Sequence, residues 1–166
     1  NVVSRVEFAL GDVEAGFGEA DVVVERDFTT QAVHQGYIEP HACVGTIAPD
    51  GMATVWCSSQ GQFMVRAYCA KLLGMENSKI RVIPAEIGGG FGGKTVVYLE
   101  PLSLALSKLT GRPVKMIMTR DEVFRGTGPT SSTEVHIKIG AKSDGTITAG
   151  EMLLKYGAGA FPGSPV

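Results

Sequence analysis

No stretch of this chain approaches the roughly 18 consecutive apolar residues that a membrane-spanning helix needs, and its start has neither the basic nor the apolar region of a signal peptide. A cytoplasmic chain with no membrane partner is the expectation. A surplus of one charge is missing too: 15 basic side chains stand against 17 acidic ones, a net of −2, which leaves no positive field for nucleic acid. Cysteine is scarce. Cys43, Cys57 and Cys69 form an odd, widely spaced set without a CxxC, which argues against a disulfide framework, a zinc site or an iron–sulfur cluster. Buried free thiols are expected instead. There are no internal repeats. The chain also lacks an initiator methionine, and no terminal element is recognisable in Ala158–Val166, so it reads as a piece of a longer polypeptide. At 166 residues it has the length of a single domain or half-domain, enough to bury roughly 70% of its unfolded surface.

Glycine is what the chain has in abundance, and it is concentrated in Ile87-Gly88-Gly89-Gly90-Phe91-Gly92-Gly93-Lys94-Thr95, where five of six consecutive residues are glycine and the sixth is phenylalanine. Residues without Cβ accept positive φ and bring bare backbone N–H groups against a ligand, usually one carrying phosphate or oxo groups. Three readings fit, two of them with a ligand. Gly88 to Thr95 satisfies G-x-x-x-x-G-K-[ST], the P-loop pattern, with Lys94 directed at phosphates and Thr95 at magnesium. Gly88, Gly90 and Gly93 satisfy G-x-G-x-x-G, but the acidic residue expected about 20 positions later is replaced by Thr110-Gly111-Arg112-Pro113-Val114. The third reading is a turn that lets two backbones pack closely with no ligand at all.

The rest of the chain supplies context. Asp12 to Ala20 predicts a short helix capped by Asp12, and Asp21 to Gln31 a strand. Ala42–Ala48 and Ala53–Cys57 read as a hairpin around Pro49-Asp50-Gly51. A helix is expected over Gln60–Leu73, with a buried stripe of Phe63, Ala67, Ala70 and Leu73, a Ser58 or Ser59 cap and a stop at Gly74. Lys79–Ile83 predicts a strand leading into the glycine segment. The next helix lies within Val96–Leu109, and Pro101 moves its start to near Glu100. Val114–Met118 is strand-like, Thr119–Glu122 opens a short helix or turn, and Thr133–Ala141 with Thr146–Tyr156 form a hairpin about Asp144-Gly145. Alternation of Val135, Ile137 and Ile139 with His136, Lys138 and Gly140 predicts one buried and one wet face. Trp56, Tyr68 and the methionines are expected in the core. The class is α+β, mainly antiparallel strands with two or three packed helices.

This architecture disfavours a nucleoside triphosphatase. A P-loop follows an early strand and precedes several βα units, whereas here 87 residues come first and one convincing long helix follows. An ATP- or GTP-binding P-loop protein is therefore the alternative reading.

Gly88-Gly89-Gly90-Phe91-Gly92-Gly93-Lys94 resembles the GGGFGGK segment of the molybdenum hydroxylases, the xanthine dehydrogenase and aldehyde oxidase family. Glu39-Pro40-His41, Ser58-Ser59-Gln60, Thr110 to Val114, Thr119 to Glu122 and Gly157-Ala158-Gly159-Ala160 resemble the same proteins in the same order. Several ordered motifs outweigh one glycine match, and the resemblance runs along nearly the whole chain.

The resemblance implies a portion of a molybdenum-binding subunit that holds a molybdenum–pterin cofactor, either molybdopterin or its cytosine dinucleotide form. Phe91 matches the residue whose backbone amide approaches an oxygen ligand of the metal, with Gly90 and Gly92 keeping that approach open. Gln60, 31 positions earlier, matches the glutamine whose side-chain amide bonds a molybdenum oxygen ligand. Taken by itself, Gln60 reads as a capping or surface residue, with Gln62 as its neighbouring competitor. The implied cofactor-binding set is Gln60, Gly90, Phe91 and Gly92, with Gln60 and Phe91 meeting the metal's oxygen ligands. His34, Glu39 and His41 are irregularly spaced and read as scaffold, with Glu39 paired, for example to a histidine. Lys94 is left between a phosphate contact, solvent and a salt bridge. Cys43 is not matched to the copper-bearing cysteine of carbon-monoxide-oxidising relatives.

Family chemistry is hydroxylation of an electron-poor carbon with water as the oxygen source, with iron–sulfur centres and usually FAD on other domains or subunits removing the electrons. The family's base glutamate and other pterin-binding loops match nothing here, so no catalytic residue is assigned and the piece alone is expected to be inactive. Thr95 stands where purine-oxidising relatives have a purine-binding glutamate, which leaves aldehydes, N-heteroaromatics and related substrates open.

Overall fold

The computed structural model describes residues 2–159; Asn1 and residues 160–166, including the Ala160 of the closing motif, lie outside the described residues. These fall into two compact units, His34–Thr130 and a second formed by the residues up to Val33 with those from Ser131 onward.

In the His34–Thr130 unit the chain runs β2 (Ala42–Ile47), β3 (Ala53–Cys57), α2 (Gln62–Leu73), β4 (Ile80–Pro84), α3 (Glu100–Thr110), β5 (Val114–Ile117) and α4 (Arg120–Gly126). The strands form a mixed sheet ordered β4-β3-β2-β5, antiparallel except for the parallel β3–β4 pair. Asp50 Oδ1 accepts the Met52 N–H at 2.9 Å in the β2–β3 turn. The core lies between the sheet and helices α2 and α3: Cys43, Ala53, Val55, Cys57 and Ile80 from the strands meet Val65, Cys69, Ala70 and Leu104. Small residues bring α3 close, since a Cβ on Gly45 would lie 3.0 Å from the Leu104 backbone nitrogen. Each fully buried valine or leucine contributes roughly 1.5–3 kcal/mol.

Two core expectations are corrected here. The buried face of α2 is Val65, Cys69 and Ala70, while Phe63 is 68% exposed and Ala67 is also open. Apolar residues surround this helix, and the sheet chooses among them. Trp56 is 41% exposed because Ala53, Val55 and Cys57 take the inward positions of β3 and alternation turns it outward. Met64 and Met152 are likewise exposed. Pro101 sits in the first turn of α3, and the helix ends at Gly111 in the left-handed conformation with φ 65°. The helix α4 begins with a reciprocal capping box between Thr119 and Glu122.

The other unit contains α1 (Val13–Gly18), β1 (Val22–Thr30), β6 (Thr133–Ala141) and β7 (Ile147–Tyr156). Its sheet is antiparallel in the order β1-β6-β7. Asp12 Oδ1 caps α1 by accepting the Ala15 N–H at 3.0 Å. The expected burial of the Val135–Ile139 face is not what the structure has. Phe28, Ile139, Met152 and Leu154 on that face are exposed, while α1 lies against the opposite one, with Phe17 beside Gly140. Alternation identifies two faces but not which of them is covered. Among the described residues there are thus four α-helices and two sheets, an α+β fold.

Candidate functional site

The parallel strands β3 and β4 both end on one edge of the mixed sheet, where their exits lead to Gln60 and to the glycine loop; the approach to β2 brings Glu39 and His41 to the same edge. Crevices beyond the carboxyl ends of parallel strands are common ligand positions. Within the loop, the Gly93 N–H donates to Gly90 O at 2.7 Å, closing a turn whose two central residues both have positive φ, Phe91 at 49° and Gly92 at 90°. Turns of this kind favour Asn, Asp or Gly at the first central position. Phenylalanine there costs roughly 1–2 kcal/mol in backbone strain, and the residue is 71% exposed. No other non-glycine residue among those described has positive φ.

Gln60 reaches across this turn. Its Oε1 accepts the N–H groups of Gly92 at 3.0 Å and Lys94 at 3.2 Å, which fixes the amide orientation and leaves the Nε2 donor for another partner. Its own N–H donates to Lys94 O at 2.9 Å. Gly90 must lack a Cβ, because one would lie 2.7 Å from Gln60 Cδ; one on Gly93 would lie 2.7 Å from the Tyr37 ring. The structure therefore brings together Gln60, Gly90, Phe91 and Gly92. Gln62 is the first residue of α2 and takes no part. Ser59 supplies no N-cap; its Oγ accepts the Gly61 N–H and donates to Lys94 O. Thr95 Oγ1 donates to Gly92 O at 2.9 Å.

Lys94 is 1% exposed, and its Nζ lies 2.7 Å from Glu39 Oε2 and 5.0 Å from the Tyr37 ring centroid. Glu39 Oε2 also accepts the Gly88 N–H at 2.8 Å. Glu39 is thus paired with lysine and not histidine. Burial pushes its carboxyl up, but the Lys94 and Gly88 hydrogen bonds and the Lys94 charge outweigh that and hold it below the ordinary carboxylate range.

A buried polar chain supports the loop from beneath. Thr127 Oγ1 donates to Val123 O at 2.7 Å, so it accepts from Tyr37 OH at 3.1 Å and from His34 Nε2 at 2.8 Å. His34 Nδ1 accepts the Gly36 N–H, in keeping with a proton on Nε2. Tyr37 then accepts from His41 Nε2 at 2.7 Å. Burial, and next the Lys94 charge, lower the His41 pKa to about 4, so the ring is neutral. Tyr37 and Thr127 carried no sequence signal: their roles come from contacts with |i−j| = 90.

The P-loop alternative fails on this geometry. Lys94 is buried and paired, and α3 starts at Glu100 instead of at the lysine. No group of three or more His, Cys, Asp or Glu side chains able to hold a metal occurs among the described residues. Two depressions on the three-stranded sheet, one lined by Asp27, Glu134 and His136 and the other by Ile137, Ile139 and Met152, gather none of the expected site residues.

The α+β fold thus carries a strained glycine turn at the carboxyl ends of its parallel strands. Residues 1–165 match the molybdopterin cofactor-binding domain, and the chain belongs to that family. It is 33% identical over 161 residues to the probable hypoxanthine oxidase XdhD of Escherichia coli K12, covering 97% of this chain and 17% of the relative. It is 36% identical over 159 residues to the nicotinate dehydrogenase large molybdopterin subunit of Eubacterium barkeri, covering 96% and 37%. Among solved structures, the aldehyde oxidoreductase of Desulfovibrio gigas aligns with a TM-score of 0.69 at 29% identity, over 88% of this chain and 16% of that one. The CO dehydrogenase of Oligotropha carboxidovorans aligns at 0.62 and 30% identity, over 86% and 18%. The chain thus spans a minor part of each of these proteins.

Proposed function

We propose that this chain forms one wall of the molybdenum–pterin site of a hydroxylase or dehydrogenase, with Gln60, Gly90, Phe91 and Gly92 facing the cofactor and Gln60 and Phe91 meeting oxygen ligands of the metal. The observation that carries the reading is the loop itself. Phe91 is held at φ 49° while its N–H and that of buried Gly90 have no protein acceptor among the described residues. The residues present fit an oxygen-rich group: unclaimed backbone donors, a Gln60 amide with its acceptor end taken, and positions that a Cβ would close. A charge-assisted hydrogen bond to such a group contributes about 1.5–3 kcal/mol, enough to offset the strain at Phe91.

When bound, the cofactor supplies hydroxylation of an electron-poor carbon with oxygen from water and takes up two electrons. This chain's residues bind and orient. Gln60 offers an N–H donor, Gly90 and Phe91 offer backbone donors, and Gly92 keeps the approach clear. Thr95, whose hydroxyl is turned to Gly92 O, contributes no carboxylate to a substrate. The proposed substrates are aldehydes, N-heteroaromatics or related small molecules. The proposed partners are the remainder of a molybdenum-binding subunit and iron–sulfur and FAD-bearing domains or subunits. The cofactor is molybdopterin or its cytosine dinucleotide form. A cytoplasmic setting belongs to the same proposal, supported by three buried free thiols.

The test is molybdenum analysis and oxidised-pterin fluorescence on the full-length subunit, purified from cells that make the cofactor. One metal and one pterin per subunit, lost when Phe91 and Gly92 are replaced by bulky charged residues, is the expected result. A folded subunit with neither overturns the proposal.

A further inference from the structure

The glycine loop is a flexible sequence held in one strained shape, so something must fix both its ends. Glu39 does so through three bonds. Its N–H donates to Gly88 O at 3.2 Å, its Oε2 accepts the Gly88 N–H at 2.8 Å, and the same oxygen accepts Lys94 Nζ at 2.7 Å. One side chain therefore grips residues 88 and 94, the two ends of the segment carrying Phe91. The fit is close: a Cβ on Gly88 would lie 2.7 Å from Glu39 Cβ. Lys94 is anchored again from the other direction, because its carbonyl accepts from Gln60 N–H and Ser59 Oγ and its N–H donates to Gln60 Oε1.

We infer that the Glu39–Lys94 pair is a positioning clamp for the cofactor, setting the span between Gly88 and Lys94 so that Phe91 keeps its positive φ and Gln60 keeps its donor end free. The inference rests on the cofactor reading above. Glu39 touches neither ligand nor metal in this account; it acts through the loop. The lysine amine is buried against Glu39 and the Tyr37 ring, which explains why an amine in a P-loop-like sequence is not used on phosphate. Its charge is balanced locally by Glu39, so the clamp adds no net charge beneath the loop.

The double variant Glu39→Gln/Lys94→Met tests this in the full-length subunit. Lys94 is buried and Glu39 half-buried, and replacing both members of a desolvated ion pair together is often neutral for folding, so the thermal unfolding of the double variant should stay close to that of the parent. Two readouts follow. Deuterium uptake of the peptide spanning residues 85–95, measured on cofactor-free protein, should accelerate about tenfold or more while α3 keeps its protection. The rate of pterin loss on dilution should rise about 10–100-fold, the range seen when groups supporting metal ligands are removed, and the Mo(V) resonance of the reduced protein should broaden or shift.

Unchanged exchange and unchanged pterin retention overturn the clamp. So does a double variant that fails to fold, since the pair would then support the whole unit and not the loop. Glu39→Gln alone keeps volume and an acceptor for Gly88; it should accelerate exchange of the loop peptide, and parent-like exchange there counts against the clamp. If the parent subunit itself holds no molybdenum or pterin, the cofactor reading fails independently, and the exchange experiment still reports on the loop.

Discussion

Gln60 Oε1 accepts two backbone N–H groups, from Gly92 at 3.0 Å and from Lys94 at 3.2 Å, across a separation of |i−j| = 32 and 34. That pair of bonds joins the β3–α2 junction to the glycine turn and orients the amide. Several consequences can be measured.

In the proposed site Phe91 acts through its backbone amide, while its side chain strains the positive φ of 49°. Phe91→Gly should leave stability unchanged or raise it by up to about 1 kcal/mol, because positive φ no longer meets a Cβ, offset by the added freedom of the unfolded chain. Cofactor content should be retained. Phe91→Pro removes the N–H and forbids the observed φ of 49°, and cofactor content should fall below detection. Urea unfolding and metal analysis check both.

Gly90→Ala and Gly92→Ala should fail for different reasons. A Cβ at Gly90 would sit 2.7 Å from Gln60 Cδ, whereas one at Gly92 meets nothing within 4 Å. The first should cost about 1–3 kcal/mol through overpacking and be partly relieved by Gln60→Ala. The second strains φ 90° alone, and Gln60→Ala should not relieve it. A double-mutant cycle in urea separates them.

His41 makes the chain acid-sensitive. Burial and the Lys94 charge lower its folded pKa from 6.5 to about 4. Between those values the unfolded state binds a proton that the folded state refuses. Stability should be level above about pH 6.5, fall as pH drops toward 4 by on the order of 3 kcal/mol in all, and then level for this group. Glu39, whose pKa is lowered, adds a further loss only below its ordinary 4.5. In His41→Gln the slope of urea midpoints between pH 6.5 and 4.5 should flatten; an unchanged slope contradicts the assignment.

The three cysteines should be silent. Burial raises Cys43 to about 11 and Cys57 and Cys69 to about 12. At pH 8 a thiol near 11 is about one part in a thousand thiolate. A colorimetric disulfide reagent should label none of them in the folded protein and all three after unfolding. Fast labelling of the native protein would show that the sheet–helix core is open.

Much of the fold was legible because the signals were local. Asp12 capping α1, Asp50 and Asp144 shaping two hairpin turns, and Gly111 ending α3 each act within a few residues. What escaped depends on contacts distant in sequence. The sheet, not the apolar stripe, decides which face of α2 is buried. Covering of the β1-β6-β7 sheet by α1 is likewise invisible in alternation. At the candidate site, the resemblance singled out the glycine loop and Gln60, and the structure places the two in contact. The partner of Lys94 lies 55 positions away, and Thr127 looks like any threonine after a helix.

The central claim concerns what faces the glycine turn, and a crystal structure of the loaded full-length subunit, with the metal placed by anomalous scattering at the molybdenum edge, tests it most directly. The account predicts one molybdenum peak whose oxygen ligands receive hydrogen bonds from the Phe91 backbone N–H and the Gln60 side-chain amide. A molybdenum peak elsewhere in the subunit, with Phe91 and Gln60 facing only solvent or protein, would contradict it.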